Sequence, residues 1–431
     1  MTPLQTAANA HDRRLVVWLS VTQLISWGSV FYLFALVMAP VERELGLSRA
    51  QSSLAFSLAL LAEGLLALPI GHLIDRGHER KVMTLGSLFL AVCLVLHSFV
   101  TSLGGFYAVW IGLGVGMAAT LYTPVFAVVT RRFPGDFRRA IITLTFLGGL
   151  ASTVFIPLNA WLIGQLGWRD ALWWLAALHL GVCAPLHFVC LKNAPRPTRA
   201  LQTPARTLRT GPSGKAGHLD TPEPAAIRAA NTLGAHLGSA PYLLLALFVV
   251  LMMAVTAALP AHMVSLLREN GLGEAWAIAI PASIGVIQVL GRLLLYFFES
   301  HFDLHRANLL IPCLLPLALA TLLASPWLGS GAGALALMGL FVLLWGLGNG
   351  MLTIVKGTAM AQYVSREHVA ALNGALGLPL ALARAGSPLA LGLLWTPQAG
   401  YRNGLWLMLI MGLAGALALA WAQRLALKSP R

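Results

Sequence analysis

The chain has 431 residues, of which 58% are hydrophobic and only 10% charged, with a mean hydropathy of +0.77 and a formal charge of +14. Soluble domains carry about 25% charged residues, and so few charges cannot cover a globule of this size. This excludes an ordinary cytosolic enzyme, a disordered chain and a nucleic-acid binder, and leaves a polytopic membrane protein. Twelve spans of ~20 residues fit the length. Cys93, Cys183, Cys190 and Cys313 all lie in apolar stretches with no paired spacing, and read as small buried hydrophobes rather than disulfides or metal ligands.

In chain order, His11-Asp12-Arg13-Arg14 precedes a charge-free run from Leu15 to Val41. That run is too long for the apolar core of a signal peptide and reads as the first membrane helix. Two further charge-free runs, Val82–Thr130 and Ala307–Val355, are each too long for one helix. Each has a break near its middle, at Ser102-Leu103-Gly104-Gly105 and at Gly329-Ser330-Gly331, and each reads as a two-helix hairpin. The predicted helices span 15–40, 50–73, 82–101, 106–130, 140–164, 171–191, 241–265, 274–298, 307–326, 333–361, 371–394 and 403–423. Residues 193–238 hold six prolines and scattered basic residues, and read as a solvated linker. The predicted organisation is therefore a six-helix bundle at 1–192, a linker at 193–238 and a second six-helix bundle at 239–431.

Lysine and arginine sort by side. With the N-terminus inside, 21 of the 29 fall on inside segments, and five, namely Arg43, Arg49, Arg169, Arg268 and Arg402, fall outside. The positive-inside rule then predicts twelve spans with both termini cytoplasmic, as in a bacterial inner-membrane protein.

The halves repeat one another. Gly112-Leu113-Gly114-Val115-Gly116-Met117 returns as Gly346-Leu347-Gly348-Asn349-Gly350-Met351. Gly167-Trp168-Arg169 returns as Gly400-Tyr401-Arg402, and Gly46-Leu47-Ser48 loosely as Gly271-Leu272-Gly273. Three matches in one order at comparable offsets are the mark of a parallel structural repeat. The glycines spaced by four, Gly112/Gly116 and Gly346/Gly350, are expected to pack helices closely.

The stretch Gly71-His72-Leu73-Ile74-Asp75-Arg76-Gly77-His78-Glu79-Arg80-Lys81 resembles the signature loop between helices two and three of the major facilitator superfamily. Gly71, Asp75, Arg76 and Arg80 match the signature, whereas His78 and Glu79 depart from it. The six-plus-six layout, the glycine-rich fourth helix and the long middle loop extend the resemblance over nearly the whole chain. The stretch Gly348–Thr358 and the run Ala383-Arg384-Ala385-Gly386-Ser387-Pro388 are similar to the monocarboxylate/oxalate–formate porter branch. The resemblance implies an all-α fold of two pseudo-symmetric six-helix bundles whose helices one, four, seven and ten line a central cavity. It also implies that the loop acts as a latch between states, with Gly71 permitting close helix contact.

Four ionisable residues fall inside predicted spans: Glu63, Arg292, Lys356 and Arg384. Such residues are expensive in a bilayer and mark function by default. Lys356 lies deep in helix ten and is expected to face the solute. Arg384 can hold a carboxylate bidentately or pair with Glu63. Arg292, near the inner end of helix eight, reads as a gating or snorkelling residue. Glu63, the single intramembrane carboxylate, reads as a proton carrier or as a static partner for an arginine. Trp27, Tyr32, Tyr122, Trp345 and Asn349 are candidate cavity residues, and His262 a candidate hydrogen-bond donor to solute.

Three positive residues against one negative favour an anionic solute. The expected function is secondary transport of a small organic anion, a carboxylate above all, by alternating access, with proton coupling through Glu63 left open. The alternatives are export of a drug or toxic oxyanion and, more distantly, a membrane sensor or embedded enzyme. No cofactor or metal, no nucleic acid and no partner chain is expected, and the unit is a monomer in the bilayer.

Overall fold

The computed structural model describes residues 3–133, 137–192, 233–298, 303–325, 332–365 and 367–428. Most of the predicted linker therefore lies outside the described residues. Among those residues, 11 stretches are long and apolar enough to cross a membrane. The longest, Ala140–Cys190, has 51 residues and turns at Gly167 (φ 80°, ψ 162°), a conformation that side-chain-bearing residues avoid. It therefore makes two crossings, and the crossings become the predicted twelve: α1 (Arg14–Leu45), α2 (Arg49–Asp75), α3 (Glu79–Ser98), α4 (Leu103–Arg132), α5 (140–166), α6 (168–190), α7 (Ala240–Glu269), α8 (Glu274–Leu295), α9 (His305–Ala324), α10 (Gly333–Tyr363), α11 (Gly377–Leu394) and α12 (Arg402–Lys428).

Local chemistry sets the ends. Gly46 at φ 65° stops α1 in the left-handed conformation. Two residues on, Ser48 and Gln51 form a reciprocal capping box: the Gln51 N–H donates to the Ser48 hydroxyl (3.2 Å), and the Ser48 N–H donates to the Gln51 side chain (2.9 Å). This fixes Arg49 in the first turn of α2. Ser102 and Ser239 cap α4 and α7 one way only, their hydroxyls accepting from the Gly105 and Tyr242 N–H. α1 outlasts its apolar run by several residues, because Glu42, Arg43 and Glu44 continue the helix beyond the charge-free stretch.

Two cores form. One gathers residues from Tyr242 to Leu419, the other residues from Ile25 to Cys183 with only Ala261 and Ala385 from the second half. The glycine runs bring helices to backbone contact, though not at every expected position. A Cβ on Gly114 would collide with the Ala59 carbonyl of α2, and one on Gly350 with the Gln288 carbonyl of α8. Gly112, Gly116 and Gly346 instead meet side chains (Cys93, Leu90 and Ile287). The expected close contact at Gly71 is absent: a Cβ there would meet nothing within 4 Å.

Three irregular turns shape the first half. α1 widens into a π-turn at Trp27–Phe31, closed by the Tyr32 N–H to the Trp27 carbonyl (3.0 Å), and α6 does the same at His179–Cys183. α4 breaks at Leu121 (ψ −160°), between Thr120 and Tyr122. The Gln23 side-chain amide of α1 donates to the Thr120 carbonyl at this break (2.6 Å). A backbone group freed inside a bilayer needs such a partner. Across from the π-turn, Ser29 and His179 share a hydrogen bond of 2.8 Å, and Asn159 donates to the Gly28 carbonyl (3.0 Å).

Candidate functional site

The halves meet along two seams with a cavity between them. The first seam joins α2 to α11. At one end Arg49 gathers carboxylates from both halves, with its Nε 3.0 Å from Glu42 and its Nη1 3.2 Å from Glu269. It also donates to the Tyr401 hydroxyl and lies over the rings of Trp395 (5.1 Å) and Tyr401 (5.5 Å). The Trp395 indole donates to Glu269 (2.8 Å). Farther in, the Leu389 N–H donates to Ser57 (3.1 Å), and near mid-membrane Arg384 Nη2 meets Glu63 at 3.2 Å.

The second seam joins α5 to α8 through small residues and backbone. Thr153 donates to the Ala282 carbonyl (2.7 Å). A Cβ on Gly285 would overlap Ser152 and Thr153. Arg292 Nη1 donates to the Thr145 carbonyl (2.6 Å). The cross-half hydrogen bonds named above run from the Arg49 end to the level of Glu63–Arg384 and Arg292–Thr145. These ties hold the two halves together on the Arg49 side.

Between the seams lies a cavity of about 170 Å³. The first half contributes Trp27, Phe31 and Tyr32, brought together by the π-turn, and Tyr122, which starts the second segment of α4. The Trp27 ring sits 4.9 Å from Phe31 and 5.0 Å from Tyr122. The second half contributes Met253 and Met263 of α7, Gln288 and Arg292 of α8, Trp345 and Asn349 of α10, and Arg384 of α11.

Arg292 is the unsatisfied member. A guanidinium has five N–H donors, and among the described residues only Nη1 finds a partner, the Thr145 carbonyl. Its Nε is buried without a partner, and no carboxylate pairs with it among the described residues. Arg384, in the same wall, is neutralised by Glu63.

The expected site residues thus divide. Trp27, Tyr32, Tyr122, Trp345, Asn349 and Arg384 line the cavity. Lys356 stands outside the lining, its Nζ 2.8 Å from the sulfur of Met253, which does line it. His262 is not in the lining at all. Its Nε2 donates to the Pro388 carbonyl (3.0 Å), and its Nδ1 accepts from the Tyr401 hydroxyl (3.1 Å), so the ring supports the Arg49 knot. Arg292 stands near the end of α8, as expected, but it bonds across to Thr145 of α5 and lines the cavity, where a gating or snorkelling residue was expected.

In the signature loop, Asp75 and Arg76 are exposed and form no side-chain hydrogen bond or ion pair among the described residues. The buried acid there is Glu79, paired with Arg131 at 3.3 Å. Arg80 donates to the Phe188 carbonyl (2.7 Å) and sits 3.8 Å over its ring, which ties the loop to its own half.

Sequence reasoning missed Arg49, Glu269 and Gln288. Arg49 entered only as one of five outside positives, yet its proximity to Glu42 and to the Ser48 cap was a signal that a helix end there carried an ion pair.

The family profile described as Major Facilitator Superfamily matches residues 19–343. The chain belongs to the major facilitator superfamily. Among curated relatives of this superfamily member, monocarboxylate transporter 13 of Rattus norvegicus is 38% identical over 112 residues, covering 25% of this chain and 26% of the relative. The "Probable nitrate/nitrite antiporter NarK1" of Thermus thermophilus is 27% identical over 181 residues, covering 39% and 40%. The matches thus span between a quarter and two fifths of these relatives' length. A solved structure of a bacterial homologue of the human lysosomal transporter Spinster, in an inward-facing and unoccupied conformation, superposes with a TM-score of 0.70 at 18% identity, covering 98% of this chain and 99% of that one. That likeness shows the fold: a multi-pass bundle of the major facilitator type.

Proposed function

We propose that this protein moves a small organic anion, a carboxylate, across the membrane by alternating access of its two halves around the central cavity. The observation that carries this reading is Arg292: a cation in the cavity wall that, among the described residues, uses one of its five donors and has no carboxylate partner. In a low-dielectric cavity such a group attracts a complementary anion far more strongly than it would in water. Lys356, behind Met253, adds a second positive charge that no described carboxylate offsets. The relatives named for monocarboxylate and for nitrate/nitrite are consistent with an anionic solute.

Glu63 supplies the coupling in this reading. A carboxylate solute that reaches Arg384 competes with Glu63 for the same guanidinium, and Glu63 released from its partner takes up a proton. Solute and proton then cross together. The basic bias of the loops supports an orientation with both termini in the cytoplasm of a bacterial cell, and the Arg49 knot facing outward. The cavity is built within one chain, which supports a functional monomer.

The test is uptake of radiolabelled carboxylates into proteoliposomes by the parent chain and by Arg292→Gln. Saturable uptake of a carboxylate, lost in the variant while its thermal unfolding is unchanged, is the expected result. Transport of a neutral or cationic solute with kinetics that Arg292→Gln leaves untouched would overturn the assignment.

A further inference from the structure

The two walls of the cavity differ in chemistry. All the charge in its lining, Arg292 and Arg384, comes from the second half, together with the amides of Gln288 and Asn349. The first half faces them with four rings, Trp27, Phe31, Tyr32 and Tyr122. These rings pack on one another as a continuous surface: Trp27 lies 4.9 Å from Phe31 and 5.0 Å from Tyr122, and Phe31 lies 5.4 Å from Tyr32. The surface is held rigidly. The π-turn of α1 that presents three of its rings is pinned from behind by Ser29–His179 and Asn159–Gly28, and the break that presents Tyr122 is pinned by Gln23–Thr120.

A solute that fills the cavity must therefore offer a negative group to one wall and an apolar face to the other. From this placement we infer that the preferred solute is an aromatic monocarboxylate, with its carboxylate on Arg292 and its ring against the Trp27–Phe31–Tyr122 surface. The inference rests on the anion reading above and narrows it. Aromatic pairs at centroid separations of 4.5–7 Å attract beyond the area they bury, and the polarisable sulfurs of Met253 and Met263 suit the edge of such a ring. The cavity of about 170 Å³ has room for one ring and a carboxylate. A hydroxy acid such as lactate offers the four rings little apolar face, and a polyhydroxylated sugar acid brings more hydroxyls than the Trp27 indole N–H and the Tyr32 and Tyr122 hydroxyls of that wall can serve. A bare oxyanion such as nitrate engages Arg292 but leaves the ring wall unfilled.

The test measures binding of benzoate, lactate, gluconate, nitrate and benzamide to the full chain in detergent, by calorimetry and by tryptophan fluorescence. Benzoate is expected to bind at least tenfold more tightly than lactate, gluconate or nitrate, with benzamide not binding. Trp27→Leu and Tyr122→Leu are each expected to weaken benzoate at least fivefold while moving lactate by less than twofold. If lactate, gluconate or nitrate binds as tightly as benzoate, the ring inference falls and the anion reading stands. If benzamide binds as well as benzoate, or no anion binds, the anion reading falls with it. The ranking in the parent chain decides the matter even where a variant does not fold.

Discussion

Two arginines reach across two seams that the repeat makes equivalent, and they meet different partners. Arg384 of α11 crosses to α2 and finds a carboxylate, Glu63, at 3.2 Å. Arg292 of α8 crosses to α5 and finds only the Thr145 carbonyl, at 2.6 Å. A carbonyl accepts one hydrogen bond without cancelling the charge, so the second seam holds a live cation and the first a neutralised one. In the proposed reading the pseudo-symmetric frame separates two tasks: one seam presents charge to the solute, and the other stores an acid–base pair that the solute can disturb.

The largest expected effect follows from removing the live cation. Arg292→Gln should weaken carboxylate binding by roughly 30- to 1,000-fold, the ~2–4 kcal/mol of a charged contact truncated in a desolvated site. Arg292→Lys should recover only part of this, because one ammonium cannot replace the planar fork that serves Thr145 and the solute together. Titration calorimetry on both variants checks the order.

Removing the stored acid sharpens the comparison from the other side. Glu63→Gln leaves Arg384 with no carboxylate and should lower stability, on the order of 3 kcal/mol for a buried pair broken on one side. It should also free a second guanidinium, so that carboxylate affinity rises while uptake loses its dependence on a proton gradient. Thermal unfolding and uptake at two external pH values separate these effects. A variant whose uptake still follows the proton gradient would sink the coupling role of Glu63.

The Arg49 end gives a smaller effect. Glu269→Gln removes the cross-half partner of Arg49 but leaves Glu42, and should shift the balance between states by ~1–2 kcal/mol. A cysteine placed at Thr256 in the cavity wall should then react roughly tenfold faster with an impermeant maleimide added on the Arg49 side. The smallest effect belongs to the α5–α8 seam. Thr153→Val deletes its hydrogen bond to Ala282, worth about 0.6 kcal/mol in membrane bundles. A loss several-fold larger in thermal unfolding would mean that this seam carries more than packing.

Nearly all of the twelve crossings were legible in the sequence, because a bilayer imposes length and polarity on every span, and the glycine repeat announced the two halves. The turn at Gly167 was placed within a few residues by its match to Gly400. The cavity was legible by residue type but not by reach. On sequence grounds Lys356 reads as the deep residue and Arg292 as one near a helix end, and which of them enters the wall depends on how α7 and α8 rotate against α10. Gly350 against the Gln288 carbonyl helps set that rotation. The π-turns and the break at Leu121 left no periodic signal, since each is stabilised by a partner distant in sequence, such as Gln23 on the Thr120 carbonyl. The buried role of Glu79 was hidden by its departure from the family signature, where it read as a blemish and not as the partner of Arg131.

The knot at Arg49 has a consequence for how the molecule senses its surroundings. Its guanidinium is nearly enclosed, with 12% of the side chain exposed, but Glu269 keeps 31% of its side chain open to the solution at that face. Dissolved ions screen charges that water can reach, over about 8 Å at 0.15 M, and only ions on that side of the membrane have access to this pair. Rising ionic strength on that side is therefore expected to weaken the Arg49–Glu269 tie, whereas salt in the opposite compartment is expected to leave it untouched. The expected outcome is a one-sided response to salinity, separate from any solute.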